Sequence, residues 1–339
     1  MGAGAVSALA AATLFLAVPA GVEATPDVSV TIDVRYGTAD GRPLLLDVYL
    51  PATPGGGRSG VVLVHGGAWR GGDKADFAVE ARRLAAAGLA AFSVNYRLDT
   101  IPAFPAQVDD VQAAVHWVRT HAGEYGVDPS RIGALGASAG GHLVGMLATE
   151  DSGPLDQSAR IRVGVSWSGP MDLTLLAGPR GVPGLTTSLF TCRPVACPED
   201  WSRASPVDQV DAGDAPMLLI NSAKELVPID QASVMADRLR AAGVDHRLDV
   251  IPGTRHAHDF RDDVWNTTVE FLRTRLESPP APLGLVPGQA GETRGGSSRE
   301  GGRFGQAIVT GALIGLVVGA LVTRSIRRRR RRASPPAAS

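Results

Sequence analysis

Cysteine is nearly absent: Cys192 and Cys197 are the only two in 339 residues. Four residues lie between them, so they cannot form a redox C-x-x-C, and no histidine pair lies nearby to complete a zinc site. No metal and no cofactor is expected. Aromatic residues are scarce as well, at 5%, so a core must be assembled from Ala, Val and Leu. Acid is missing from the C-terminal end, where seven arginines from Arg324 onward have no Asp or Glu among them. Taking those seven from the 33 basic residues leaves 26 against 34 acidic ones, a net charge of −8 for the rest of the chain. An acidic body with a detached basic end excludes the basic folded face of a nucleic-acid-binding domain.

Two stretches hold long apolar runs. Val6 to Val18 ends at Pro19-Ala20, with Val22-Glu23-Ala24 after it. This is the apolar core and small-residue cleavage zone of a secretory leader, so a signal peptide is expected over 1–24, although no Lys or Arg precedes the run. Gly305 to Thr323 carries no charge, and at ~1.5 Å per residue it reaches roughly 28 Å, near the ~30 Å hydrocarbon core. Arg324 and Arg327 to Arg332 follow at once. The pattern predicts a single transmembrane helix at 305–323 in the cell membrane, with a basic cytoplasmic tail at 324–339 and the rest of the chain outside. Gly311, Gly315 and Gly319 line one stripe of that helix, a small-xxx-small arrangement through which two copies can associate as a homodimer. Residues 278–304, rich in Pro, Gly, Ser and Arg, read as a flexible linker. Outside the cell, Cys192 and Cys197 are expected to form a disulfide.

The remaining segment, 25–277, reads as one catalytic domain. Alternating stretches at 28–36 and 44–50, joined through Asp40-Gly41, predict a hairpin of edge strands. Gly60 to His65 is continuously apolar, as a strand buried on both faces requires. Helices are expected at 76–87, at 105–121 with Val108, Val111, Val115 and Val118 on one face, at 229–242 and at 264–276. Strands are expected at 89–95, 131–136, 161–167, 215–221 and 246–251. Strands alternating with helices predict an α/β fold with a mostly parallel, doubly wound sheet and helices on both faces. The Pro- and Gly-rich stretch 177–206 breaks that rhythm and reads as a loop or small cap.

The chemistry-bearing residues fall at the ends of these strands, where such sheets place their ligands. Gly136-Ala137-Ser138-Ala139-Gly140-Gly141 lies between a strand and an apolar helix, the context that gives G-x-S-x-G its meaning as a nucleophile elbow. The turn holds Ser138 at a strained φ, so its neighbours must be small. His65-Gly66-Gly67-Ala68-Trp69 follows another strand and offers Gly67 and Ala68 N–H groups, with that of Ala139, to a developing oxyanion. His256, after strand 246–251, is the candidate general base, and Glu225, after strand 215–221, its orienting acid. His258 competes for the first role, and Asp230 and Asp259 for the second. His65 reads as a brace of the oxyanion loop and His142 as a packing residue. His116, His121 and His246 read as surface or core residues.

With these pieces in the order Ser, acid, His, residues 28–276 resemble an α/β-hydrolase of the esterase/lipase type, in particular the bacterial feruloyl-esterase-like and carboxylesterase group with an HGG-x-W motif. The stretch from Asp109-Asp110 through Tyr125-Gly126-Val127-Asp128-Pro129-Ser130-Arg131-Ile132 to Ser138-Ala139-Gly140-Gly141-His142 matches that group's central block. The resemblance implies hydrolysis of a small-molecule or polymer-linked ester through an acyl-enzyme. The same motifs occur in kynurenine-formamidase-like enzymes and acylpeptide-hydrolase-like peptidases, so an amidase or peptidase stands as an alternative, with a non-catalytic adhesion module behind it. One departure stands out. The group's acid segment reads His-Gly-x-x-Asp-x-x-Val-Pro, whereas Asn221-Ser222-Ala223-Lys224-Glu225-Leu226-Val227-Pro228 is one residue shorter and carries Glu.

Overall fold

The apolar runs become the strands of one eight-stranded sheet. The computed structural model describes residues 27–98, 104–149, 153–179 and 181–278. In chain order they form β1 (Val28–Ala39), β2 (Arg42–Pro51), β3 (Arg58–Val64), α1 (Ala78–Ala86), β4 (Ala90–Val94), α2 (Ala106–Thr120), β5 (Val127–Ala137), α3 (Ala139–Thr149) and β6 (Gly164–Trp167). Three short helices follow, α4 (Leu173–Leu176), α5 (Pro198–Arg203) and α6 (Pro206–Gln209), then β7 (Met217–Ser222), α7 (Asp230–Ala242), β8 (His246–Ile251) and α8 (Arg261–Glu277). The sheet order is β1-β2-β4-β3-β5-β6-β7-β8. β2 runs antiparallel to both its neighbours, and every pair from β4 to β8 is parallel.

Side chains alternate across a strand, and β3 shows what that does here. Val62 and Val64 enter one buried cluster with Val111 and Val115 of α2, Leu143 of α3 and Leu239 of α7. Val61 and Leu63 enter a second cluster with Leu84 of α1 and Leu272 and Leu276 of α8. Helices thus cover both faces, as expected, and the core is mostly aliphatic. Each such side chain withdrawn from water contributes ~1.5–3 kcal/mol.

The hairpin forms around Asp40 and Gly41, both at positive φ (50° and 73°), as a tight two-residue turn of this hand requires. Of the two hairpin strands, however, β1 alone is an edge strand. β2 lies inside against β4 because Leu46 and Val48 are apolar enough to be buried completely. The strand expected at 161–167 is laddered only from Gly164, and β7 starts at Met217, after a proline that has no N–H for the ladder. The stretch 177–206 contains short helical pieces rather than a continuous loop, and Cys192 and Cys197 are joined there in the expected disulfide, with Cα atoms 6.2 Å apart.

Several residues of the matching central block hold the scaffold. Asp110 is buried and accepts a forked pair of bonds from the Arg97 guanidinium, with Nε and Nη2 each 2.9 Å from a carboxylate oxygen, which fixes the chain leaving β4. Arg119 Nε donates to the Pro129 carbonyl at 2.9 Å, tying α2 to the start of β5. The leader expected at 1–24, the linker beyond Ser278, the span 305–323 with its Gly311, Gly315 and Gly319 stripe, and the tail 324–339 lie outside the described residues. Among the described residues, no helix is long and apolar enough to cross a membrane.

Candidate active site

Ser138 stands between the last residue of β5 and the first of α3, at φ 54°. That left-handed conformation costs a residue with a Cβ about 1–3 kcal/mol and persists only where the surroundings enforce it. Here the Ser138 N–H donates to the Trp167 carbonyl at 2.7 Å, and its own carbonyl accepts from His142 N at 3.1 Å. The flanking glycines are a steric necessity. A Cβ on Gly136 would lie 2.2 Å from the Gly140 oxygen, and one on Gly140 would lie 2.0 Å from the Val64 oxygen. The small residues expected around the serine thus face backbone that cannot yield.

The loop after β3 abuts the elbow, since a Cβ on Gly66 would meet the Ala137 oxygen at 2.9 Å and Ser138 Cβ at 3.3 Å. Gly67, Ala68 and Trp69 all adopt positive φ, at 110°, 53° and 59°. His65 braces this loop, as expected: its ring stacks on Tyr96 with centroids 4.4 Å apart, and its Nδ1 is bonded to the Gly66 carbonyl at 2.8 Å. Burial holds the His65 pKa below its usual value. His142, fully buried, does more than pack. Its Nδ1 accepts from Trp69 Nε1 at 3.2 Å, so its proton sits on Nε2, which donates to the Ala204 carbonyl at 2.8 Å. Burial pushes its pKa down to about 4, and the ring stays neutral.

The other half of the site sits beyond β6, β7 and β8. His256 Nδ1 is bonded to Glu225 Oε2, and the Glu225 side chain is entirely buried. Its other oxygen accepts from the Ser222 N–H at 2.7 Å and from Ser168 Oγ at 2.9 Å. An ionised carboxylate only accepts, so the nitrogen that faces it, Nδ1, carries a proton, and in the neutral ring Nε2 is then the acceptor. His258, the competing base, lines the same cavity and has its Nδ1 on Glu80 Oε1 at 3.2 Å, but its Nε2 is buried and its ring meets Phe77 edge-on. Asp230 opens α7 and Asp259 lies in the turn after His256, while the imidazole itself is paired with Glu225. His116 lies on α2, His121 just after it, stacked on Trp117, and His246 at the start of β8.

A cavity of about 580 Å³ joins the two halves. Ser138, His256, Gly67, Ala68 and Ala139 all line it, with Trp69, Leu185 and Leu226 forming an apolar wall. Glu225 stands behind His256. A serine hydroxyl, an imidazole paired with a buried carboxylate and the backbone of Gly67, Ala68 and Ala139 around one cavity are the kinds of group that acyl transfer uses. The sequence reading overlooked Ser168. Its only signal was its place in Trp167-Ser168-Gly169-Pro170, at the same end of the sheet as the other loops. Among the described residues, one group has metal-ligand proximity, Cys192, Cys197 and Asp200, but its two sulfurs are joined to each other.

Comparison with known proteins bears on the family and the fold. A family model described as BD-FAE matches residues 46–239. The chain is similar to a probable carboxylic ester hydrolase, LipM, of Mycobacterium tuberculosis, with 31% identity over 242 residues, covering 67% of this chain and 56% of that protein. It is similar to the esterase LipQ of the same organism, with 29% identity over 280 residues, covering 79% of this chain and 65% of that one. The chain therefore spans between half and two thirds of the length of these curated relatives. Among solved structures, a thermophilic esterase from the Planctomycetes species Thermogutta terrifontis aligns with a TM-score of 0.58 and 25% identity, over 74% of this chain and 92% of that one. A truncated carbohydrate esterase from gut microbiota aligns with a TM-score of 0.66 at 24% identity, over 76% of this chain and 99% of that one, a likeness of fold.

Proposed function

The chain belongs to the BD-FAE family, and on that premise we propose that it is a serine hydrolase of carboxylic esters. Ser138 is the nucleophile, His256 the general base and Glu225 the acid that orients it. The observation that carries this reading is the Glu225–His256 pair, which leaves Nε2 of the imidazole unprotonated in the cavity that Ser138 lines. As Ser138 Oγ bonds to the acyl carbon, its proton passes to His256 Nε2 and the carbonyl oxygen gathers negative charge. Gly67, Ala68 and Ala139 N–H groups hold that charge. The tetrahedral centre then collapses, the C–O bond to the alcohol breaks, and the alcohol leaves with the proton from Nε2. Water repeats the sequence on the acyl-enzyme, releasing the acid and restoring Ser138. Throughout, Glu225 fixes the imidazole tautomer and balances its transient charge.

In this reading the catalytic domain is extracytoplasmic and tethered by 305–323, with the arginines of 324–339 on the cytoplasmic side; the uncharged run and the basic cluster behind it support that placement. A fluorophosphonate probe tests the chemistry. The native chain should be labelled at Ser138 and should turn over short acyl esters, and Ser138→Ala should abolish both. Labelling at another residue, or turnover of amides with none of esters, would overturn it.

A further inference from the structure

We propose that Ser168 is a positioning residue, whose buried hydroxyl fixes the plane of the Glu225 carboxylate and couples it to the loop that carries His256. This rests on the serine-hydrolase reading above. Ser168 directly follows β6, is fully buried and sits at φ 55°. That conformation suits glycine, which has no Cβ to clash there. A serine in such a place stores strain, and strain of this kind points to a role for the side chain.

The contacts define the role. Ser168 Oγ donates its one proton to Glu225 Oε1 at 2.9 Å, and the same oxygen accepts from the Ala257 N–H, also at 2.9 Å. Its backbone N–H donates to the Ile220 carbonyl at 2.7 Å. One residue therefore touches β7, the loop that carries the acid and the loop that carries the base. With the Ser222 N–H added, Oε1 holds two donors while Oε2 faces His256. A carboxylate held by one oxygen only could rotate, and two donors on Oε1 leave Oε2 for the imidazole. The far end of the bridge also matters, because Ala257 follows His256 and is itself at φ 48°.

The hydroxyl has an electrostatic effect as well. A donor to a carboxylate draws off charge and lowers its basicity. Without it, Glu225 becomes the stronger base, and the imidazole bonded to it holds its proton more tightly. The acid limb of a kcat/KM profile then moves to higher pH. Among the described residues, Asp76, His258 and Asp259 are the other titratable groups on the cavity wall, Glu80 and Arg261 stand behind His258, and Lys224 and Arg255 adjoin the pair in sequence. The substitution leaves them in place.

The test compares Ser168→Gly and Ser168→Ala with the native chain, using ester turnover, thermal melting and the pH dependence of kcat/KM. Ser168→Gly should melt close to the native chain, because relief of the strained φ offsets the loss of the hydroxyl as acceptor for the Ala257 N–H. Its kcat should nevertheless fall about ten- to a hundredfold, the effect of losing a hydrogen bond to a charged group, with KM little changed. The acid limb should shift upward, and Ser168→Ala should show the same shift. Native kcat with an unshifted limb would overturn the proposal. So would a loss of activity that follows a fall in melting temperature without a limb shift, or failure of both variants to fold, since each assigns Ser168 to the scaffold alone. If Ser138→Ala retained turnover, the serine-hydrolase reading itself would fail, and that outcome is separate from these.

Discussion

The two halves of the site are made differently. Around Ser138 and the loop after β3, geometry is imposed by collision: Gly136, Gly140, Gly66 and Gly67 each face backbone at distances no Cβ can occupy. Around Glu225 and His256, geometry is imposed by hydrogen bonds, from Ser222, Ser168 and the imidazole itself, to a carboxylate sealed from solvent. The first half cannot be mistuned without being broken. The second can lose its setting while the fold stays intact.

Separating activity from stability breaks or sharpens this contrast. The largest effect is expected from Glu225→Gln. The amide oxygen can keep the bonds to Ser222 and Ser168, but the amide NH₂ would donate to His256 Nδ1 and force the proton onto Nε2. Ester turnover should fall about 10⁴-fold in kcat, with the melting temperature nearly native. A mild loss would return the acid role to Asp230 or Asp259.

Gly140→Ala should do the opposite. Its methyl group would lie 2.0 Å from the Val64 oxygen and 2.5 Å from the His65 oxygen, both of them backbone, so a stability loss of more than about 4 kcal/mol is expected, read by chemical denaturation. Native-like melting of that variant would refute the steric account of the elbow.

The contrast also explains what could be read from the sequence. Collisions between neighbouring turns leave a local trace, a run of small residues beside Ser138, and the strand that precedes it is a plain apolar run. Glu225 was legible only by its place after a strand, because nothing in Ala-Lys-Glu-Leu marks a buried acid. Ser168 left a weaker trace still, its place at the end of a strand. Its partners lie 57 and 89 residues away, and a bond between such distant groups leaves no periodicity or spacing in either stretch. β2 was misplaced as an edge strand for a related reason: alternation shows that one face is covered, not how many neighbours a strand has.

A smaller effect belongs to His142, the polar tie within the steric half. Its folded pKa of about 4 lies below the ordinary value of ~6.5, so the unfolded chain binds the extra proton first. Stability is therefore full above about pH 6.5 and declines as pH falls toward 4, by about 3 kcal/mol in all. Denaturant midpoints across this range should show that slope, and His142→Gln should flatten it. An unchanged slope would mean that another group supplies it.

The smallest effect is expected from the disulfide, which lies outside both halves. Opening the short Cys192–Cys197 loop should lower stability by about 2 kcal/mol in the chain-entropy account, as measured on a Cys192→Ser, Cys197→Ser double variant. The fluorophosphonate labelling rate at Ser138 should hold. A fall in that rate would tie the disulfide segment to the site after all.

The acid loop carries one further consequence. Relative to the pattern of the group it resembles, this segment has lost one residue and gained one methylene, since Glu225 stands where Asp is usual. The added methylene brings one more rotatable bond, so a Glu here must be held against a freedom that an Asp does not have. Ser222 and Ser168, both bonded to Oε1, are the groups that remove it.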